Sequence, residues 1–445
     1  MNKARLIEIL SEWNFWGKGL DIGIVRRDYL TRIINFLEGR VNKIISLYGV
    51  RRSGKSYILR QVADFLSEKY GENNVLYINF EEVYLKKNLD TLINCYNAFL
   101  EIVKPDKKPF LILDEVQEIP EWERFVRSIH EKNQARIIVS GSSAKLMSEE
   151  LSTLLAGRDI PIEVYPLSFK EYLHFNNIKI ENQLDLITKK SQMLQLLWRY
   201  LELGGFPEVT LEKNVELKKE ILKRYFETIL IKDVQRRFRI KDTSTLENIA
   251  FYYLSNVSSL ISYTKTAKTL KIPTTTLTRY SKHLQTSRMI FFIDKLTLKP
   301  KEKLISLKKV YAIDNGLPKT IGIKTTEKIG SLLENLVAIE LQRRYKKPTY
   351  EINYYRDYQQ REVDFTIKEG LKIKQLIQVT YASNLDEIEK RELRNLIKAR
   401  ETLNCKNLLI ITWDLEDQII YKGEKIKLKP IWKWLLKQTK NETTF

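Results

Sequence analysis

The sequence predicts an α/β fold in three parts: a parallel-sheet core, a basic helical middle and a second, smaller α/β domain. Three observations carry this reading. Residues 43–66 run strand, glycine-rich loop, helix, and the loop reads Gly49-Val50-Arg51-Arg52-Ser53-Gly54-Lys55-Ser56. Residues 262–293 hold six Lys or Arg and no Asp or Glu. After Gly316 strand-like and helix-like runs resume, with Glu334 on a helical run and Asp364 on a strand-like one.

The loop comes first in the chain and is the most specific signal. Its form is G-x-x-x-x-G-K-S, a phosphate-binding loop. The glycines let the backbone wrap a polyphosphate with its N–H groups pointing inward. Gly49, Arg51, Arg52, Ser53, Gly54, Lys55 and Ser56 are therefore the expected nucleotide-binding residues, with Lys55 reaching the β- and γ-phosphates and the Ser56 hydroxyl on Mg²⁺. The run Lys43–Tyr48 supplies the strand before the loop, and Tyr57–Leu66, with apolar residues at helical spacing, the helix after it.

Three further apolar runs, 75–80, 109–115 and 136–143, read as strands of the same sheet. The second ends in Asp114-Glu115, a Walker B pattern: Asp114 is expected to hold Mg²⁺ through water, and Glu115 to orient and deprotonate the attacking water. The third ends in Ser140-Gly141-Ser142-Ser143, where Ser140 or Ser142 could sense the γ-phosphate; the alternative is a plain Ser/Gly turn. Arg158, in Leu-Ala-Gly-Arg, could neutralise transition-state charge in cis or from a neighbouring copy of the chain, which would make a homo-oligomer. The competing reading is a surface salt bridge.

Here a family resemblance enters. The ordered set "GVRRSGKS", "LILDEVQ", "IPEWE", "VSGSSAKLMS", "LAGRDIPIEVYPLSFKEYL" and "LGGFPEV" resembles the AAA-like P-loop ATPases of archaea and bacteria with a DUF4143-type C-terminal region, which look related to the STAND-like archaeal group. The resemblance runs from about Trp13 to Tyr381. It implies an ATPase using ATP and Mg²⁺, with Lys55, Ser56, Asp114 and Glu115 as nucleotide and metal residues and Arg158 as a nucleotide-responsive arginine.

The middle part holds two basic segments. Residues 218–239 read as a basic helix. Residues 262–293 parse as helix, turn at Lys271-Ile272-Pro273, helix, then strand, the order of a winged helix-turn-helix. Lys265 and Lys268 on the first helix, and Thr275, Thr276, Thr278, Arg279 and Lys282 on the second, are the expected nucleic-acid contacts. A winged helix can also dock protein, so both partners stay open at this point.

In the last part, Glu334, Asp364, Gln378 and Thr380 fall where a restriction-endonuclease-like fold carries helix carboxylate, strand aspartate and acid-x-Lys. The resemblance implies carboxylates holding Mg²⁺ and a lysine activating water. Gln378 replaces the acid and Thr380 the lysine, and Lys374, four residues before Gln378, need not reach the site, so it reads as degenerate. An ATP-gated nuclease is the alternative. The segment Pro430–Lys437 reads as a terminal amphipathic helix whose aromatics pack.

The domain reading is thus 1–200 for the ATPase with its lead-in, 201–240 for a basic connector, 241–320 for the winged helix and 321–445 for the nuclease-like domain. Composition agrees with several folded domains: 445 residues are too many for one simple core, and 43% are hydrophobic. The net charge of +20 calls for an anionic partner, nucleic acid (DNA foremost) rather than membrane, with a lysine-rich solvated surface as the bland alternative. No apolar run reaches the ~18 residues needed to span a bilayer, and no signal core opens the chain, so a cytoplasmic location is expected. Cys95 and Cys405 lack metal-ligand spacing, and three histidines are too few for a His-based metal site.

Overall fold

The structure, a computed structural model, describes residues 2–141, 157–297, 299, 302, 305–323, 329–346 and 348–437. It divides into two compact units, Met1–Tyr165 and Pro166–Phe445.

The first unit is built on five parallel strands: β1 (Ile44–Tyr48), β2 (Val75–Asn79), β3 (Phe110–Asp114), β4 (Arg136–Ser140) and β5 (Asp159–Glu163), in the spatial order β2-β3-β4-β1-β5. Helical connections cover both faces, so the strands carry apolar residues on both sides. Leu76, Ile78, Leu111, Leu113, Ile137 and Val139 fill the core on one face. Tyr77, Ile45, Leu47, Ile112, Ile138 and Ile162 fill the other. The helix Lys55–Tyr70 turns Ile58, Leu59, Val62, Ala63 and Leu66 into that second core and stops at Gly71.

The edge strand β2 is covered by the lead-in. The Asn14 amide donates to Tyr77 O and its Oδ1 accepts from Tyr77 N, both at 2.8 Å, so one side chain satisfies the backbone groups a neighbouring strand would have taken.

The second unit opens with helices Phe169–Phe175, Lys190–Leu203 and Val215–Thr228, the last running into a π-helical stretch, Ile229–Gln235. The expected basic helix over 218–239 is thus broken, and its Lys218 is buried. Next come helix Thr243–Ser255, β6 (Leu260–Ile261), helices Tyr263–Thr269 and Thr274–Thr286, β7 (Ile290–Asp294) and β8 (Lys308–Ala312). The three strands form an antiparallel sheet in the order β6-β8-β7.

Helix Ile329–Arg344 follows, then β9 (Tyr350–Arg356), β10 (Glu362–Glu369), β11 (Lys372–Val379), helix Lys390–Leu403, β12 (Leu408–Thr412), β13 (Asp417–Tyr421), β14 (Glu424–Pro430) and helix Ile431–Leu436. These strands order as β13-β14-β12-β11-β10-β9: an antiparallel meander of β9, β10 and β11, with β12 and β14 parallel beyond it.

One expected boundary differs from the fold. The first compact unit ends at Tyr165, not near residue 200. Helix Lys190–Leu203 packs on helices Gly316–Ile321 and Ile431–Leu436, so its apolar face belongs to the second core. Helix Ile329–Arg344 buries Asn335 through Leu341 without a break, because it lies against both β8 and β11. The terminal helix does bury Trp432 and Trp434, with Trp432 Nε1 donating to Asp414 Oδ1 at 2.9 Å.

Candidate functional site

β1 is flanked in the sheet by β4 and β5, and its carboxyl end delivers the chain into the loop 49–54. A Cβ on Gly49 would fall 2.1 Å from the Val164 carbonyl oxygen, so glycine is required there. Gly54 closes the loop at φ +93°, a left-handed conformation that glycine adopts without strain, and starts the helix at Lys55. Helix N–H groups therefore face the loop, the arrangement that attracts phosphate.

The Lys55 side chain is buried, and its ammonium donates to the Gly49 and Val50 carbonyls, each at 3.2 Å. Ser53 is fully buried and its Oγ has no partner among the described residues. Ser56 follows on the helix, half-buried. Arg51 pairs with Glu81 at 3.8 Å, and Arg52 is exposed at φ 69°.

Sequence reasoning missed the brace beneath the loop. Arg26 is 2% exposed, and its Nη1 donates to Ser53 O at 2.8 Å and Tyr165 O at 3.1 Å. The Arg26 backbone N–H donates to Gln61 Oε1 at 3.0 Å, and Gln61 Nε2 donates to Ile22 O and Ile24 O at 2.9 and 3.0 Å. No motif marks Arg26; its only signal is an arginine just ahead of a helical run.

The Walker B residues meet the loop at the same end of the sheet. Asp114 is completely buried. Its Oδ2 accepts from Tyr77 OH at 2.7 Å, and its Oδ1 accepts from Ser140 Oγ and from Glu115 N, the latter at 3.1 Å. Ser140 Oγ also accepts from Glu115 N at 3.2 Å. Ser140 is thus tied to the aspartate, while Ser142 lies outside the described residues. Glu115 sits in the left-handed region at φ 51°, and Gln117 Nε2 donates to its Oε2. Burial pushes the Glu115 carboxyl up; Lys55 pulls it back and Asp114 adds to the rise.

Arg158 is not brought to this end. Ile44 N donates to Arg158 O at 2.9 Å, so the arginine stands where β1 begins, about 15 Å of strand away from the loop. Its guanidinium pairs with Glu131 at 3.0 Å, both side chains well exposed.

In the second unit, helix Thr274–Thr286 buries Leu277, Tyr280, Ser281 and Leu284. Thr275, Thr278, Arg279 and Lys282 lie exposed, with Thr276 half-buried, and Lys265 and Lys268 are exposed on the preceding helix. These four basic side chains make no ion pair among the described residues. His283, stacked on Phe238 at 3.7 Å, registers the local field: burial, then Arg279, Lys282 and Arg237, push it down to about 4. A cavity of about 750 Å³ lies between helices Lys190–Leu203 and Val215–Thr228, lined by Arg199, Lys213, Lys218, Lys219, Lys223 and Lys319 among others. Lys218 is 8% exposed and makes no ion pair among the described residues.

Glu334 and Asp364 do come together, around a residue the sequence did not single out. Lys309 Nζ, from β8, lies 2.9 Å from Glu334 Oε1, 2.7 Å from Glu362 Oε1 and 3.2 Å from Asp364 Oδ1. Asp364 Oδ2 accepts from Val379 N at 3.0 Å, and Tyr311 OH donates to Glu334 Oε1 at 2.7 Å. Gln378 is buried and its Oε1 has no partner among the described residues. Thr380 donates its backbone N–H to Ile411 O at 2.9 Å, and Lys374 pairs with Glu369. Among the described residues no group of three His, Cys, Asp or Glu could hold a metal ion, and no helix is long and apolar enough to cross a membrane.

Family models match along most of the chain: an AAA domain over residues 41–173, a domain of unknown function (DUF8612) over 194–328 and another (DUF4143) over 329–434. An uncharacterised protein of Methanocaldococcus jannaschii is 33% identical over 93% of this chain and 91% of its own length. One from Haemophilus influenzae is 31% identical over 87% and 93%. Among solved structures, the Walker-type ATPase of Pyrococcus abyssi aligns with TM-score 0.44 at 15% identity, covering 67% of this chain and 95% of that one. DnaA from Aquifex aeolicus aligns with TM-score 0.25 at 19% identity, covering 58% and 87%.

Proposed function

This chain belongs to the family of AAA-type P-loop ATPases that carry a DUF4143 region, and on that premise we propose that it hydrolyses ATP to control its binding of nucleic acid, DNA foremost. The observation that carries the reading is the convergence of Lys55, Asp114 and Glu115 at one end of the sheet, with Glu115 pushed up by burial toward a better base.

The residues present fit ATP with Mg²⁺: a glycine loop that a side chain would block, an unpartnered Ser53 hydroxyl, and a lysine resting on carbonyls it can leave. ATP and Mg²⁺ would supply the transferable phosphoryl group and the cation that neutralises it. Lys55 and the loop amides would bind the phosphates, and Ser56 and Asp114 would hold the metal ion. Ser140 and Tyr77 keep Asp114 fixed. Glu115 would take the proton of the attacking water, its backbone N–H anchored on Asp114 and Ser140. Arg158 has no part in its own chain's pocket; in this reading it serves a neighbour's, which requires a homo-oligomer.

Nucleic-acid binding rests on the second unit. Its helix, short strand, two helices and β-hairpin follow the order of a winged helix. The second of the two helices exposes Thr275, Arg279 and Lys282, and the cation-lined cavity around Lys218 offers further positive charge to a phosphate backbone. The deciding experiment is ATP turnover with and without duplex and single-stranded DNA across a salt series. Lys55→Ala should abolish turnover, and DNA should bind at low salt and be released as salt rises. Intact turnover in Lys55→Ala overturns the ATPase assignment. Salt-insensitive or absent DNA binding overturns the nucleic-acid assignment and leaves a protein-docking module.

A further inference from the structure

A restriction-endonuclease-like fold would place a divalent metal ion between Glu334 and Asp364. The residues here do not fit that ion, because the Lys309 ammonium already sits among those carboxylates. We infer that Lys309 is a resident cation that has replaced the metal ion, so that the carboxylate cluster is a divalent-cation site held shut from within.

Geometry is the first support. An ammonium has three N–H donors. Two of those of Lys309 donate to Glu334 Oε1 and Asp364 Oδ1, at 2.9 and 3.2 Å, and the ammonium also pairs with Glu362 Oε1 at 2.7 Å. The acceptors come from helix Ile329–Arg344 and β10, and the donor from β8, so one side chain ties three elements together.

Burial is the second. The Lys309 side chain is 3% exposed. A lysine this deep sheds its proton unless anions surround it. The three carboxylates around Lys309 supply those anions.

Charge balance is the third. Three carboxylates face Lys309, and among the described residues the other cation paired with them is Arg356, 3.8 Å from Glu362. Glu392, on the helix after β11, has an Oε2 that is buried with no hydrogen-bond partner among the described residues. The cluster is short of positive charge with a monovalent cation in place.

Gln378 supplies the independent sign of a vacated ligand position. Phe365 pairs with Ile377 in the β10–β11 ladder, so Asp364 and Gln378 are the next cross-strand neighbours and their side chains share a face. The Gln378 Oε1 is buried and has no hydrogen-bond partner among the described residues. On this inference it is the oxygen that a metal ion bound to Asp364 would take up.

The test counts Mn²⁺ bound to the full-length, nucleotide-free protein by electron paramagnetic resonance, which keeps it separate from ATP hydrolysis. Wild type should show no site that Asp364→Asn removes. Lys309→Met, close in volume, should gain one site, bound at least about tenfold tighter than any in wild type. Adding Asp364→Asn to Lys309→Met should remove it. A folded Lys309→Met that gains no site overturns the inference, and so does a wild-type site lost in Asp364→Asn. Should Lys309→Met and Lys309→Ala not fold in EDTA, recovery of their circular dichroism in Mn²⁺ supports the inference. Failure to recover in Mn²⁺ overturns it.

Discussion

Asp114 spends both carboxylate oxygens on neutral donors, Tyr77, Ser140 and the Glu115 N–H, with no surface open to water. Removing one donor leaves a buried charge short of a bond, which costs about 1–3 kcal/mol or more. Ser140→Ala should therefore lower the urea midpoint of unfolding by that order and slow ATP turnover as well. Glu115→Gln keeps the size and the Gln117 contact region but loses the carboxylate proposed as the base. ATP should still bind with unchanged affinity, while turnover falls by about 10²–10⁴-fold, read by pairing nucleotide titration with a phosphate-release assay. His283 gives a pH signature of the second unit. Its folded-state pKa of about 4 lies below its ordinary value of about 6.5, so the unfolded chain takes the proton first. The stability it contributes is whole above about pH 6.5 and is lost as pH falls toward 4. The urea midpoint should drop between pH 7 and pH 5, and less so in His283→Gln.

At the scale of elements, helix Thr274–Thr286 separates its two faces cleanly. Leu277, Tyr280 and Leu284 pack inward, and Arg279 and Lys282 carry unneutralised charge outward. Each side chain that meets a phosphate adds about 0.9 to the salt slope of binding on duplex DNA. Arg279→Ala with Lys282→Ala should flatten the plot of log affinity against log salt by about two, measured by fluorescence anisotropy. A structural role alone would leave that slope unchanged. Helix Ile329–Arg344 behaves differently. It is buried on every side over Asn335–Leu341, and Asn335 earns its place by bonding Ala312 N at 2.8 Å and Asn315 Oδ1 at 2.6 Å. Its carboxylate Glu334 is therefore held by Lys309 and Tyr311 instead of facing solvent, which is why the cluster reads as closed.

For the whole molecule, the place of Arg158 sets a test of assembly. Arg158 lies at the wrong end of its own sheet for its own loop, so any catalytic use demands a second copy. Arg158→Ala should then lower turnover, by up to about 10³-fold, only where copies assemble. Mixing it with Lys55→Ala should restore activity, since one protein keeps the pocket and the other the arginine. No recovery on mixing, with both proteins folded, removes Arg158 from the chemistry and leaves its bond to Glu131 as a surface pair.

Much of the candidate nucleotide site could be read before any coordinates. The loop, Lys55, Ser56, Asp114 and Glu115 are legible as candidates because phosphate binding uses contiguous backbone, and the acidic pair ends its own strand. The helix–turn–helix order of 263–286 was equally legible, since local periodicity and a proline set it. Arg26, Asn14 and Lys309 were not. Each acts on a partner remote in sequence: Arg26 on Ser53 and Tyr165, Asn14 on Tyr77, Lys309 on Glu334 and Asp364. Thr380 pointed to a site without a lysine, yet packing of β8 brought one in from another strand. The order of residues along the chain determines which groups can bind phosphate, because that chemistry is local. Which cation fills a buried cluster of acids is decided by how distant strands close over it, because an unneutralised charge there is too costly to leave.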